Sequence, residues 1–336
     1  MKTILYIGNI LKDSQKTLAT IDTLSENLRQ DGYKVITTSS KNNKLFRLFD
    51  MLWHIIKHRT KVDYVLIDTY STLNFYYAYL CSQLCRLFKL KYVPILHGGN
   101  LPDRLNNSPI KSRQIFKNAF LNIAPSNYIK SSFESFGFSN IKCIANTIEV
   151  QKYSFMQRNF DKPKLLWVRA FSKIYNPQLA LELLKDLCEN NIEAELCMVG
   201  PDKDGSLLEV QKLANNLGLD VKFTGKLSKD EWINLSKEYN IFINTTNVDN
   251  TPVSVIEAMA LGLPVISTNV GGLPFLIDNL NTGILVQPND VKGFENAILR
   301  LINNDELVKK VSYNARQKVE QFDWNVVKHD WFSVLS

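Results

Sequence analysis

Residues 240–268 read "NIFINTTNVDNTPVSVIEAMALGLPVIST". The run 240–246 is apolar and short, as a buried strand is. Thr251-Pro252 reads as a helix start, a capping hydroxyl followed by proline at the first helical position. Gly262 after Leu261 reads as the stop, so the spacing predicts a helix over about 252–261. "PVIST" (264–268) is the next buried strand. Strand, helix and strand in that order predict a parallel sheet covered by helices. Two residues sit oddly in a segment built for burial: Glu257 inside the apolar helix and Asp249 in the loop before it.

The same rhythm runs through the rest of the chain. In the first half, strands are expected at 3–8, 34–38, 63–68, 91–96, 121–124 and 141–145. Helices are expected at 14–31 (Leu18, Ile21, Leu24 and Leu28 on one face), 44–59, 72–88 and 126–136. The stretch 146–163 loses the alternation and reads as a linker. Strands at 165–170, 194–200, 221–225 and 283–287 then alternate with helices at 177–190, 206–217 and 228–238. Helices at 290–303, 305–321 and 324–335 close the chain. The fold class is α/β, with two tandem doubly wound Rossmann-like domains over 1–160 and 161–322. Ligands in such sheets bind at the carboxyl ends of strands, and with two domains the expected site is a cleft where they face each other.

Composition narrows the classes. The chain has 336 residues, 22% charged, and no apolar run of the roughly 20 residues a membrane span needs. "MKTILYIGNI" lacks a small-residue cleavage site and reads as a first strand, not a signal peptide. Five scattered cysteines form no metal pattern and read as free thiols in a reducing cytoplasm. The net charge of +7 is uneven: residues 1–160 hold 22 Lys+Arg against 10 Asp+Glu, and the rest hold 18 against 23. The first half therefore meets something anionic.

The predicted helix start at 252 is an anion site, because its first-turn N–H groups, those of Val253 and Ser254, are unpaired beside the positive end of the dipole. Asp249 and Glu257 can flank a ligand whose phosphates sit there, accepting hydrogen bonds from vicinal hydroxyls. The competing reading makes Asp249 a loop residue favoured by the dipole and Glu257 a solvated helix residue.

The residues "VDNTPVSVIEAMALGLPVISTNVGGLPFLI" resemble the donor-site signature of the family 4 (group 1) glycosyltransferases, retaining enzymes of the GT-B fold. The pattern is an acid, seven residues, a Glu, an "AMA-x-G-x-PV" run and a Gly-Gly turn. The resemblance implies that Glu257 holds the nucleotide ribose and Asp249 the hydroxyls of the donor sugar. It places the backbone of Thr251, Pro252, Val253 and Ser254 on the diphosphate. The first acid is usually Glu, so Asp249 reaches about one methylene less. In "LLWVRAFSKIYNP" (165–177), Arg169 matches the residue that neutralises the diphosphate. Lys173 matches a second such cation, one position earlier than the common pattern. Lys226 and Leu227 fall where the family holds the base. "MVGPDKDG" (198–205) lies on the same rim and reads as a turn.

In the first half, "KYVPILHGGNLPDRL" (91–105) ends a strand with His97, Gly98 and Gly99. Relatives commonly carry a His in this loop near the donor sugar, which makes His97 a sugar ligand and not a base; the competing reading is a structural His. Arg104 is a weaker phosphate candidate from the same loop. Gly8 alone replaces the Gly-Gly turn many relatives have after the first strand, and only closeness to the cleft is assigned to it. Trp324, Val327 and Trp331 lie at helical spacing, and relatives return this last helix (323–336) to the first domain.

Residues 44–61, "KLFRLFDMLWHIIKHRTK", place Leu45, Leu48, Phe49, Leu52, Ile55 and Ile56 on one face, expected to pack on the core. Phe46, Met51 and Trp53 flank it above a basic rim, which suits an anionic lipid surface. The expectation is a metal-independent, retaining hexosyltransferase in polysaccharide or lipid-linked glycan synthesis. Its partners are a nucleotide sugar and a carbohydrate or lipid-linked acceptor, with no cofactor, no metal and no nucleic acid. It is cytoplasmic and peripheral on the inner face of the membrane. The rivals are a sugar-nucleotide epimerase of the same shape and a nucleotide-sugar-binding protein weakened by Asp249.

Overall fold

The computed structural model describes residues 1–9 and 20–336. It divides into two compact units, Met1–Thr147 with Trp324–Ser336, and Ile148–Asp323. The expected helix over 14–31 is described from Thr20 onward; Leu18 and its neighbours lie outside the described residues.

The first unit runs β1 (Thr3–Ile7), α1 (Thr20–Gln30), β2 (Lys34–Thr38), α2 (Lys44–His58), β3 (Tyr64–Thr69), α3 (Asn74–Leu87) and β4 (Lys91–Leu96). It continues through α4 (Leu101–Asn107), α5 (Pro109–Phe116), β5 (Asn122–Ala124), α6 (Asn127–Ser135) and β6 (Ile141–Cys143). Its six strands are parallel in the order β2-β1-β3-β4-β5-β6. The order reverses at β1, so the crevice such a sheet offers opens where β1 and β3 end. β3 is buried at every position, which is why it reads as an unbroken apolar run. The short helices α4 and α5 were not expected from the sequence. Each opens with Pro at its first or second position, a start signal that the loop-like "NNSP" obscures.

The second unit runs β7 (Lys164–Val168), α7 (Pro177–Glu189), β8 (Glu195–Val199), α8 (Ser206–Asn216), β9 (Val221–Gly225), α9 (Lys229–Leu235) and β10 (Ile241–Asn244). Then come α10 (Val253–Ala260), β11 (Val265–Thr268), α11 (Leu273–Leu276), β12 (Ile284–Val286), α12 (Val291–Ile302) and α13 (Asp305–Glu320). Its parallel sheet has the order β12-β11-β10-β7-β8-β9, reversing between β10 and β7. The last helix, α14 (Trp324–Val334), belongs to the first unit. Val327, Trp331 and Val334 are buried there with Ile4, Tyr6 and Val93, and Trp324 Nε1 donates to Asp31 at 2.6 Å.

Three sequence expectations need correction. Residues 148–160 are not a free linker: Ile148, Val150 and Tyr153 are buried in the second unit with Leu166, Phe242, Ile256 and Met259. Arg158, 5% exposed, donates to the carbonyls of Ser236, Tyr239 and Leu261. The boundary thus falls at 147/148 and not at 160. Second, α2 is turned from the expected orientation. Arg47, Met51 and Ile55 face inward, while Leu45, Phe46, Phe49 and Trp53 are at least 60% exposed. The inward Arg47 is satisfied by the carbonyls of Lys41 and Asn42 and by Asn9 Oδ1, which lets a cation occupy the buried face. Third, α10 begins one residue later than predicted, as the site shows.

Candidate functional site

α10 is buried from Val255 to Ala260, and Glu257 is its one charged residue. Pro252 is its N-cap, in extended backbone with no side-chain cap; the Thr251 hydroxyl meets Asn250 at 3.5 Å instead. Pro252 has no N–H, so the expected run of donors from Thr251 to Ser254 is interrupted there. The free first-turn donors are Val253 and Ser254, since Val255 and Ile256 already donate to the Pro252 carbonyl. Ser254 Oγ is buried beside them without a hydrogen-bond partner among the described residues. The helix stops as predicted, in a Schellman motif. Leu263 N–H donates to Ala258 O, Gly262 N–H to Met259 O, and Gly262 sits at φ +79°. A Cβ at Gly262 would lie 2.6 Å from Met156 O.

Asp249 is held by two glycines. A Cβ on Gly271 would lie 2.1 Å from Asp249 O, and one on Gly272 2.0 Å from Asn250 O; Gly272 N–H donates to Asp249 O at 3.0 Å. The Gly-Gly turn therefore clamps the acid's own loop. Asp249 Oδ2 pairs with the guanidinium of Arg169, which stands just past the end of β7; each side chain is 14% exposed. Burial pushes the Asp249 carboxyl above the ordinary carboxylate range, with the Arg169 charge opposing. The guanidinium lies over the Tyr175 ring at 4.0 Å, and its Nε is buried without a partner among the described residues. Gly200 lets the backbones meet behind it, since a Cβ there would lie 1.8 Å from Arg169 O. The "MVGPDKDG" turn is thus also a packing requirement of the site.

Glu257 is 3% exposed. Its Oε1 accepts from Tyr153 Oη at 2.7 Å and pairs with Lys229 Nζ, while Oε2 has no partner among the described residues. Neither Tyr153 nor Lys229 stood out in the sequence, because they lie 104 and 28 residues away and carry no local pattern. Lys226 is exposed on the loop between β9 and α9, and Leu227 packs against the cluster holding Val255 and Ile256. The structure does not bring Lys173 to this group. Its side chain is 72% exposed and meets Glu209 at 3.6 Å.

In the first unit His97 follows β4 and is 6% exposed. Its Nε2 lies 2.8 Å from Asp68 Oδ1, and its ring stacks on Tyr70 at 4.8 Å. Gly98 follows at φ +87°, a conformation that needs glycine, and Gly99 continues the turn. Arg104 is occupied: its guanidinium donates to Ser71 O and lies 5.3 Å from the Phe75 ring centroid. Gly8 abuts Asp68, for a Cβ there would lie 2.4 Å from Oδ2.

Two parallel doubly wound units, each with a buried carboxylate and a basic side chain at its sheet reversal, make up a GT-B fold. The family model for group 1 glycosyl transferases matches residues 151–318, and the chain belongs to that family. It is 27% identical over 332 residues to an uncharacterized glycosyltransferase of Methanocaldococcus jannaschii, covering 95% of this chain and 90% of that one. It is 27% identical over 205 residues to the UDP-Gal:alpha-D-GlcNAc-diphosphoundecaprenol alpha-1,3-galactosyltransferase of Escherichia coli, covering 56% of this chain and 51% of that one. The HepE structure of Anabaena, in complex with UDP-glucose, superposes with a TM-score of 0.81 at 17% identity, over 100% of this chain and 99% of that one.

Proposed function

We propose that the chain is a retaining, metal-independent hexosyltransferase that takes its sugar from a uridine diphosphate donor. The observation that carries this is the buried Arg169–Asp249 pair at the β7/β10 reversal, clamped by Gly271 and Gly272. Arg169 keeps one buried donor, Nε, uncommitted, and Val253 and Ser254 keep their backbone N–H groups free. These are the groups a diphosphate needs as it departs and gains charge, and they supply that compensation without a metal ion. Asp249 holds the guanidinium and offers its remaining lone pairs to the sugar hydroxyls. Glu257 offers Oε2 to the ribose, with Lys226 and Leu227 beside the base. In the first unit, His97 is the candidate ligand for a sugar hydroxyl. Lys173 has no part in this reading.

The acceptor is a carbohydrate or a lipid-linked glycan, on a route to surface polysaccharide. The Escherichia coli relative, named for a diphosphoundecaprenol-linked substrate, supports this, as does the basic first half. Phe46, Phe49, Trp53 and Ile56 form an exposed stripe along α2 beside Lys41, Lys44 and Lys57, suited to an anionic membrane face. No helix among the described residues is long and apolar enough to cross a membrane. The test is a transfer assay with UDP-hexoses in EDTA, reading the anomeric configuration of the product. Transfer with retained configuration is expected. Inversion, or strict dependence on added metal, would overturn the corresponding part of the reading.

A further inference from the structure

Asp68 is a carboxylate on β3 whose side chain is only 4% exposed, yet no cation pairs with it among the described residues unless His97 is protonated. A buried carboxylate is costly unless hydrogen bonds satisfy it. Here both donors converge on Oδ1: Tyr6 Oη from β1 at 2.9 Å and His97 Nε2 from the end of β4 at 2.8 Å. Three adjacent strands thus meet at one oxygen, at the reversal of the sheet. Because an ionised carboxylate only accepts, the proton of this contact resides on Nε2. The Tyr70 stack sets the ring plane, with 23° between the rings. Nδ1 has no hydrogen-bond partner among the described residues. Gly8 leaves room for this arrangement, since a methyl group there would collide with Asp68 Oδ2.

We propose that Asp68 is a positioning residue: it fixes His97 in the Nε2–H tautomer, so that Nδ1 is the nitrogen presented to a sugar hydroxyl. This rests on the reading of His97 as a sugar ligand. A carboxylate that merely pinned the three strands together would not depend on the tautomer, and that difference supplies the test.

Long-range proton–nitrogen spectra of the full chain resolve four histidines, and His97 is assigned by its absence in His97→Gln. In the wild type, neutral His97 is expected to carry its proton on Nε2. Asp68→Asn keeps a carbonyl oxygen at the same place and retains that tautomer. Asp68→Ala gives a mixture, with kcat for transfer falling at least about tenfold while UDP affinity stays within about twofold, and Asp68→Asn recovers part of the loss. A wild-type proton on Nδ1 overturns the proposal, and so does an Asp68→Ala protein that keeps both tautomer and kcat. If Asp68→Ala does not fold, the wild-type spectrum and Asp68→Asn still decide. A slow His97→Gln beside a fast Asp68→Ala sinks the role of Asp68 alone. A His97→Gln protein that transfers at the wild-type rate removes the sugar-ligand reading, and this proposal with it.

Discussion

The two sheets of this protein solve the same topological problem with different bases. Each parallel sheet reverses its order once, and at each reversal a buried carboxylate holds a basic side chain: Asp68 with His97 in the first unit, Asp249 with Arg169 in the second. Arg cannot lose its proton in a protein, so the second site is permanently suited to a diphosphate. His offers one donor and one acceptor when neutral, which suits a sugar hydroxyl. The surroundings agree with this division. Arg169 stands in the unit with the free N–H groups of α10 and the ribose-binding candidate Glu257; His97 has an aromatic ring against it and the Asp68 carboxylate at its Nε2.

The largest effect should follow Arg169→Ala. Removing the positive charge that faces the departing diphosphate should lower kcat by about 10²–10³. It also strands the Asp249 carboxylate, so the thermal midpoint should fall by an amount equivalent to about 3 kcal/mol. A variant within a few-fold of wild type in both would erase the contrast between the two sites. Glu257→Ala should follow, weakening UDP binding about tenfold or more in calorimetry. Asp249→Ala should lose transfer with UDP binding mostly kept, and parallel losses of binding in the two variants would refute their separate roles.

A smaller effect concerns pH. Burial raises the Asp249 carboxyl, and the proposed role of Asp249 uses its ionised form. Activity should therefore fall, as pH is lowered, above the range where ordinary carboxylates titrate, and Asp249→Asn should lack that limb. A pH–rate profile flat through that region contradicts it. The smallest effect on the folded state should come from α2: Phe49→Ser with Trp53→Ser should change stability by no more than about 0.5 kcal/mol for each exposed position. Yet it should abolish flotation with anionic vesicles at low salt. Equal flotation of the double variant and the wild type would remove the lipid-facing role of this stripe.

The alternation of strands and helices was legible in the sequence because the central strands, buried on both faces, are largely apolar runs. The helix expected over about 252–261 and its Gly262 stop were legible from Thr251-Pro252 before it and the glycine after it. Orientation was harder to read. α2 is apolar on more than one side, so periodicity alone did not reveal that Arg47 faces inward, its guanidinium being satisfied by loop carbonyls. The partners of the singled-out residues were illegible because they are distant in sequence. Asp68 lies 29 residues before His97, and Arg169 lies 80 before Asp249. Lys173 illustrates the converse: its place in a motif pointed to the diphosphate, while the fold turns it outward to Glu209.

Titration calorimetry of UDP, without a sugar, into the wild type, Arg169→Ala and His97→Ala tests the division of labour most directly. The account predicts that Arg169→Ala weakens UDP binding by at least about tenfold and that His97→Ala leaves it within about twofold. Equal weakening by both variants, or none by Arg169→Ala, would contradict it.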